Sequence, residues 1–176
     1  MPDPHGHAAP EVHVHNALFA VGVALVAIAL ASLVREPKRQ RLMAVVLGGA
    51  GGAYLNAGFG LWEFPFAIAV LVCAYLGLQS YTFLGIGWLL HTAWDFLHHW
   101  SGLPMLSLFP TSSFECGVCD VVLAGWFFMG APSVFGLFRR SVPGEDAPEQ
   151  APHLPGGAAQ VPGSSQPADA PPAGEH

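Results

Sequence analysis

Strong bases are scarce, and their placement says more than their number. The six lysines and arginines of this 176-residue chain fall at two places: Arg35, Lys38, Arg39 and Arg41, then Arg139 and Arg140. Between residues 42 and 138 there is none. A nucleic-acid interface needs clustered basic side chains, so that class of partner is excluded. Charged residues of both signs make up only 10% of the chain, against about 25% in soluble domains. Also missing are a P-loop, a G-x-S-x-G elbow and a Rossmann fingerprint, and with them the phosphate-cradling and nucleophile-elbow chemistries those motifs serve. Cysteine is limited to Cys73, Cys116 and Cys119.

Long apolar runs fill the space the charges leave, and they predict an all-α, polytopic membrane bundle with the lipid bilayer as its solvent. The first span is Val14 to Val34; 21 residues at helical rise reach about 30 Å, the thickness of a bilayer's hydrocarbon. Asn16 is the expected cap of that helix. Ala29-Leu30-Ala31 imitates a signal-cleavage site, but no positive n-region precedes the run. Leu42 to Phe64 reads as a second span, closed at Phe64 because a proline disfavours helix in the residue before it. Phe66 to Gln79 makes a short third span, Thr82 to His99 a fourth, and Val118 to Phe138 a fifth, kinked near Pro132. The loop from Trp100 to Gly117 is the longest between spans. With five transmembrane helices and the N-terminus outside, both basic clusters and the C-terminus fall on the cytoplasmic side, as the positive-inside rule requires of a multi-pass inner-membrane protein.

The ends differ from this middle. Residues 1–13 form a flexible tail carrying His5, His7 and His13. Residues 141–176 hold half of the 16 prolines with no apolar periodicity, which reads as disorder. The membrane domain is residues 14–140. Within it Gly48, Gly52, Asn56 and Gly60 recur every four residues. Small residues at that spacing suit close helix–helix contact, and the Gly48/Gly52/Asn56 face is an expected oligomer contact.

Four acids lie in the base-free interval: Glu63, Asp95, Glu115 and Asp120. A carboxylate sunk in hydrocarbon must be protonated, face water, pair with a cation or bind a metal. With no lysine or arginine nearby, the partners left are a protonated histidine or a metal ion. His91, Asp95, His98 and His99 stand at i, i+4, i+7 and i+8, one face of a helix. His91 and Asp95 are the expected centre of a polar site near the outer face, and the candidate catalytic pair. His98, His99, Glu63 and Asp120 are the further candidate ligands, and the donor types suit Zn²⁺, Fe²⁺ or Mn²⁺. Metal-assisted hydrolysis or oxidation of a lipid-like substrate fits such a pocket. Equally, His98, His99 and Trp100 can simply anchor a helix end among headgroups, with Asp95 bonding between helices. H-x3-D-x2-H-H is not a diagnostic zinc pattern.

Cys116-Gly117-Val118-Cys119 is a second signal. It suits a structural disulfide, a redox-active pair or two metal ligands. If Ser112 or Ser113 caps the fifth helix, Cys116 lies in its first turn, where a thiolate is favoured. Cys73 lies too deep to join them.

Several stretches resemble a family of small bacterial integral membrane proteins known only as a domain of unknown function. They are Gly60-Leu-Trp-Glu-Phe-Pro65, Gly85-Ile-Gly-Trp-Leu-Leu-His-Thr-Ala-Trp-Asp95 with His98-His99, Pro110-Thr-Ser-Ser-Phe-Glu-Cys-Gly-Val-Cys-Asp120 and Gly130-Ala-Pro-Ser-Val134. The resemblance runs from about Leu42 to Arg140 and implies a multi-span membrane protein; it brings no activity. The C-x-x-C is similar, more loosely, to that of membrane disulfide-generating enzymes that pass electrons to quinone, although the second cysteine pair such enzymes generally use is not in this chain.

Overall fold

A computed structural model describes residues 9–55 and 57–136. Helices follow one another along the chain: α1 (Val14–Leu33), α2 (Lys38–Ala53), α3 (Glu63–Gly77), α4 (Tyr81–Trp100) and α5 (Ser112–Phe128). A 3-10 turn, Gly60–Trp62, leads into α3. Among the described residues there is no strand beyond one isolated bridge, Leu106 to Phe109. Two stretches, Val14–Leu33 and Gly60–Gly77, are long and apolar enough to cross a membrane. The N-terminal tail to residue 8, Asn56, Arg139 and Arg140, and everything beyond residue 136 lie outside the described residues, as do the expectations that fall on them.

The packing centres on α4. It lies chiefly against α5, with α3 and α2 on its other side, and α1 covers α5. Tyr54, Leu47, Val70, Leu84 and Phe127 are fully buried where these helices meet. Close approach is set by glycine. A Cβ at Gly87 of α4 would stand 2.5 Å from Leu47 Cδ2 and 3.0 Å from Cys73 Cβ. Gly87→Ala is therefore expected to overpack the α2–α3–α4 contact and cost about 1–2 kcal/mol. Gly125→Ala, with nothing within 4 Å of the new methyl, should cost nothing. Thermal unfolding of the two variants in detergent compares them directly.

Three expected boundaries are corrected. The run Leu42 to Phe64 is not one helix: α2 stops at Ala53, and a new helix starts at Glu63. Pro65 sits in the first turn of α3, where the missing N–H has no intrahelical acceptor to lose, so it opens a helix instead of closing one. The fifth helix begins at Ser112, not Val118, and ends at Phe128. Beyond it Gly130 and Ala131 take positive φ, so Pro132 follows a helix end and kinks nothing. Asn16 does not cap α1. The cap is His13, whose N–H donates to Asn16 Oδ1 at 3.0 Å, while Asn16 Nδ2 donates to Glu115 Oε1 at 2.8 Å and ties α1 to α5.

The loop of residues 101–111 is strapped by the serines that open α5. Ser112 Oγ accepts the Leu106 N–H at 3.0 Å, and Ser113 Oγ accepts the Met105 N–H at 2.9 Å and donates to the Leu103 carbonyl at 3.2 Å. Thr111, not either serine, holds the cap position. Within the expected glycine face, Gly48 packs on Leu71 and Ala74 of the same chain, Gly52 faces open space, and Asn56 is not described. Among the glycines of α2 the tightest approach is instead at Gly51, against Val70.

Candidate metal centre

The polar stripe of α4 is buried along its length: His91 is 3% exposed, Asp95 and His98 0%, and His99 6%. The period-3.6 placement puts these side chains on one face, and α5 meets that face with Asp120. A contact between α4 and α5 this close needs a small residue. Gly117 supplies it, since a Cβ there would reach Asp95 Cβ at 3.3 Å.

His91, Asp95 and Asp120 form one group. Each offers a ligand atom, and the three atoms lie within 4.8 Å of one another. His91 Nδ1 is 2.8 Å from Asp120 Oδ2 and 3.3 Å from Asp95 Oδ2. The other ring nitrogen, Nε2, is 3.0 Å from the Ala50 carbonyl. A carbonyl only accepts, so Nε2 carries the proton and donates it. Ala50 lies in the last turn of α2, where carbonyls lack intrahelical partners. That bond turns Nδ1 toward the two acids. Asp95 is oriented in turn: Tyr54 Oη donates to Asp95 Oδ1 at 2.5 Å, leaving Oδ2 toward His91. Metal-ligating histidines commonly donate their second N–H to a carbonyl or carboxylate, and ligating carboxylates are themselves hydrogen-bonded. Both features are present here.

Charge balance narrows what the group can hold. Two carboxylates and one imidazolium leave a net negative charge in a buried site. Two carboxylates, a neutral imidazole and a divalent cation leave none, and neither does an imidazolium with one carboxylate and one protonated acid. Lys38, Arg39 and Arg41 stand in the first turn of α2, at the far end from Ala50, and no lysine or arginine lies between residues 42 and 138 to offer another balance. The group can hold a metal ion, and its one nitrogen and two oxygens suit Zn²⁺, Fe²⁺ or Mn²⁺.

The other expected ligands stand apart from this group. His98 Nδ1 is 3.0 Å from the Trp94 carbonyl, and its ring packs 4.3 Å from the rings of Tyr54 and Phe59. His99 lies against Phe114 at 5.5 Å. Glu63, 2% exposed, accepts the Phe59 N–H at 2.9 Å and so fastens the turn before α3. Cys116 and Cys119 are free thiols, and Cys116 Sγ is 3.9 Å from Met105 Sδ. Cys116 is the fifth residue of α5, past the first turn expected for it. With Asp120 the two thiols line a cavity of about 320 Å³ between α1, α5 and the loop of residues 101–111.

Two partners were not foreseen from sequence. Tyr54 is the larger omission; a phenol in an apolar run needs an acceptor, and that need was the available signal. The Ala50 carbonyl could not be anticipated while α2 was expected to continue to Phe64.

No curated protein and no solved structure matches the chain. A family model does, over residues 15–133, which takes in all five helices together with His91, Asp95, Asp120 and Tyr54. The chain belongs to that family, described as a family of unknown function (DUF6010).

Proposed function

We propose that this protein is a multi-pass inner-membrane metalloprotein that holds one divalent transition-metal ion on His91 Nδ1, Asp95 Oδ2 and Asp120. In this reading all five helices cross the bilayer, with the N-terminus outside and the site toward the outer face. The observation that carries the metal is the pair of bonds behind the ligands: Ala50 fixes the imidazole and Tyr54 fixes the carboxylate. A protein gains from such support when a ligand atom must stay aimed at an ion. An ion there acts as a Lewis acid on any oxygen that reaches it.

Metal analysis of the purified protein tests this. Wild type is expected to carry about one ion per chain, and His91→Ala and Asp120→Ala roughly a tenth of that or less. Wild type without metal, or both variants with undiminished metal, would count against coordination.

A second reading has an observation of its own. His91 Nδ1 and Asp120 Oδ2 stand at hydrogen-bond distance, 2.8 Å. A proton alone can hold them, making the group a station on a proton path through the membrane. Metal-free wild type with an imidazolium signal for His91 by nitrogen NMR would favour this reading over the first.

A further inference from the structure

The cavity between α1 and α5 has one wall that belongs to the metal centre. Asp120, bonded to His91, lines it, and so do Cys116 and Cys119. Ser112 and Glu115 line it on the same helix, and the remaining wall is apolar, formed by Phe19, Ala20 and Val23 of α1 and by Met105, Leu106 and Phe109 of the loop. The other acid nearby, Glu115, is already engaged by Asn16 and by Thr111 Oγ1 at 3.0 Å. Asp120 is therefore the acid that faces the cavity beside the candidate ion.

The way in is lateral. Phe19 is 62% exposed and Val23 45% exposed, on the flank of the chain's most apolar helix. A ligand entering past them comes from an apolar surrounding. The volume, about 320 Å³, stands at the lower end of ligand pockets, roughly 300–1,000 Å³, which suits one aliphatic chain and not a two-chain phospholipid. The polar end selects by charge. With a divalent ion balancing the two carboxylates, and Glu115 already held by Asn16 and Thr111, the polar end asks for an oxygen that can reach the ion and for no net charge.

We infer that the cavity is a binding site for a single-chain lipid with a neutral oxygen head, an alcohol or aldehyde, which enters between α1 and the loop and brings its oxygen to Asp120 and the ion. This inference rests on the metal reading, because the ion is what makes a neutral head preferable to an amine.

A medium-chain alkanol carrying a mid-chain diazirine is the probe. Photolysed with the full-length protein in detergent, it is expected to label α1 and the loop of residues 101–111. Ala20→Trp fills the cavity from the α1 side and Leu106→Trp from the loop side. Each should reduce labelling roughly tenfold, the equivalent of about 1.4 kcal/mol of binding. Each should keep about one metal ion per chain, since neither touches a ligand. Two variants on opposite walls guard against one that fails to fold. Labelling unchanged by both substitutions, labelling confined to other helices, or stronger labelling by the matching alkylamine or fatty acid would overturn the inference. If metal is bound and the cavity does not label, this inference alone fails. If metal is absent, the reading beneath it fails first.

Discussion

Asp95→Ala is expected to be the most damaging single change in the chain. Asp95 is fully buried, and it is the shared partner of Tyr54 Oη and His91 Nδ1. Removing the carboxylate leaves the buried Tyr54 phenol without its acceptor and His91 Nδ1 with Asp120 alone. Breaking a buried charged pair by deleting one member costs about 3–5 kcal/mol, because the survivor keeps its desolvation penalty and loses its compensation. Asp95→Asn separates the two roles of this residue. Its amide oxygen can still accept from Tyr54, so most of the lost stability should return. Its charge does not return, so metal binding should stay lost. SDS or thermal unfolding, read beside metal content, distinguishes them. An alanine variant as stable as wild type would show that the acid carries no such burden.

The second large effect is expected at the opposite end of the bundle. Arg39 has a side chain only 7% exposed, although it belongs to the basic cluster expected to mark a cytoplasmic surface. It pairs with Glu36, with Nε to Oε1 at 2.6 Å, and its guanidinium stands 5.9 Å from the Trp126 ring. Tyr81 Oη donates to the same carboxylate, so Glu36 joins the turn before α2 to the start of α4. Glu36→Ala leaves a buried guanidinium without its anion. Glu36 itself is 42% exposed, so solvent screens part of the pair, and a loss of about 2 kcal/mol is expected in place of the full cost of a buried one. The double variant Glu36→Ala with Arg39→Met should be more stable than Glu36→Ala alone, because it removes the orphaned charge as well. A double variant no better than the single one would mean that the aliphatic stem and the tryptophan contact, not the charge, dominate at Arg39.

The sequence carried the site further than it carried the helix boundaries, for physical reasons visible at particular residues. Polar residues at helical spacing inside an apolar run leave little choice of geometry, so the burial of His91, Asp95, His98 and His99 on one face could be read directly. Asp120 was within reach because an acid in a base-free interval needs company. Which of the candidates meet was not legible. It depends on the axial offset of α5 against α4, and residue spacing along one helix is silent about another. His98 spends Nδ1 on its own helix while its buried Nε2 finds no partner, and Glu63 accepts from the adjoining turn, so both side chains are held away from the group by local bonds. The ends of α2 and α5 were misjudged because apolar content does not mark a stop. Glycine-rich sequence can continue or fray, proline can open a helix as well as end one, and the serines at the start of α5 look like loop while they bind the loop from inside the helix.

That early stop of α2 reaches beyond its own segment. Were the glycine-rich turn to wind on for one more revolution, the Ala50 oxygen would be claimed by its own helix, and the imidazole across from it would be free to flip or change tautomer. The extent of one helix thus decides which nitrogen of another presents a lone pair to the acids. A substitution at Gly52, where a new side chain meets open space, that favours continued winding would then detune the centre without touching any of its ligands.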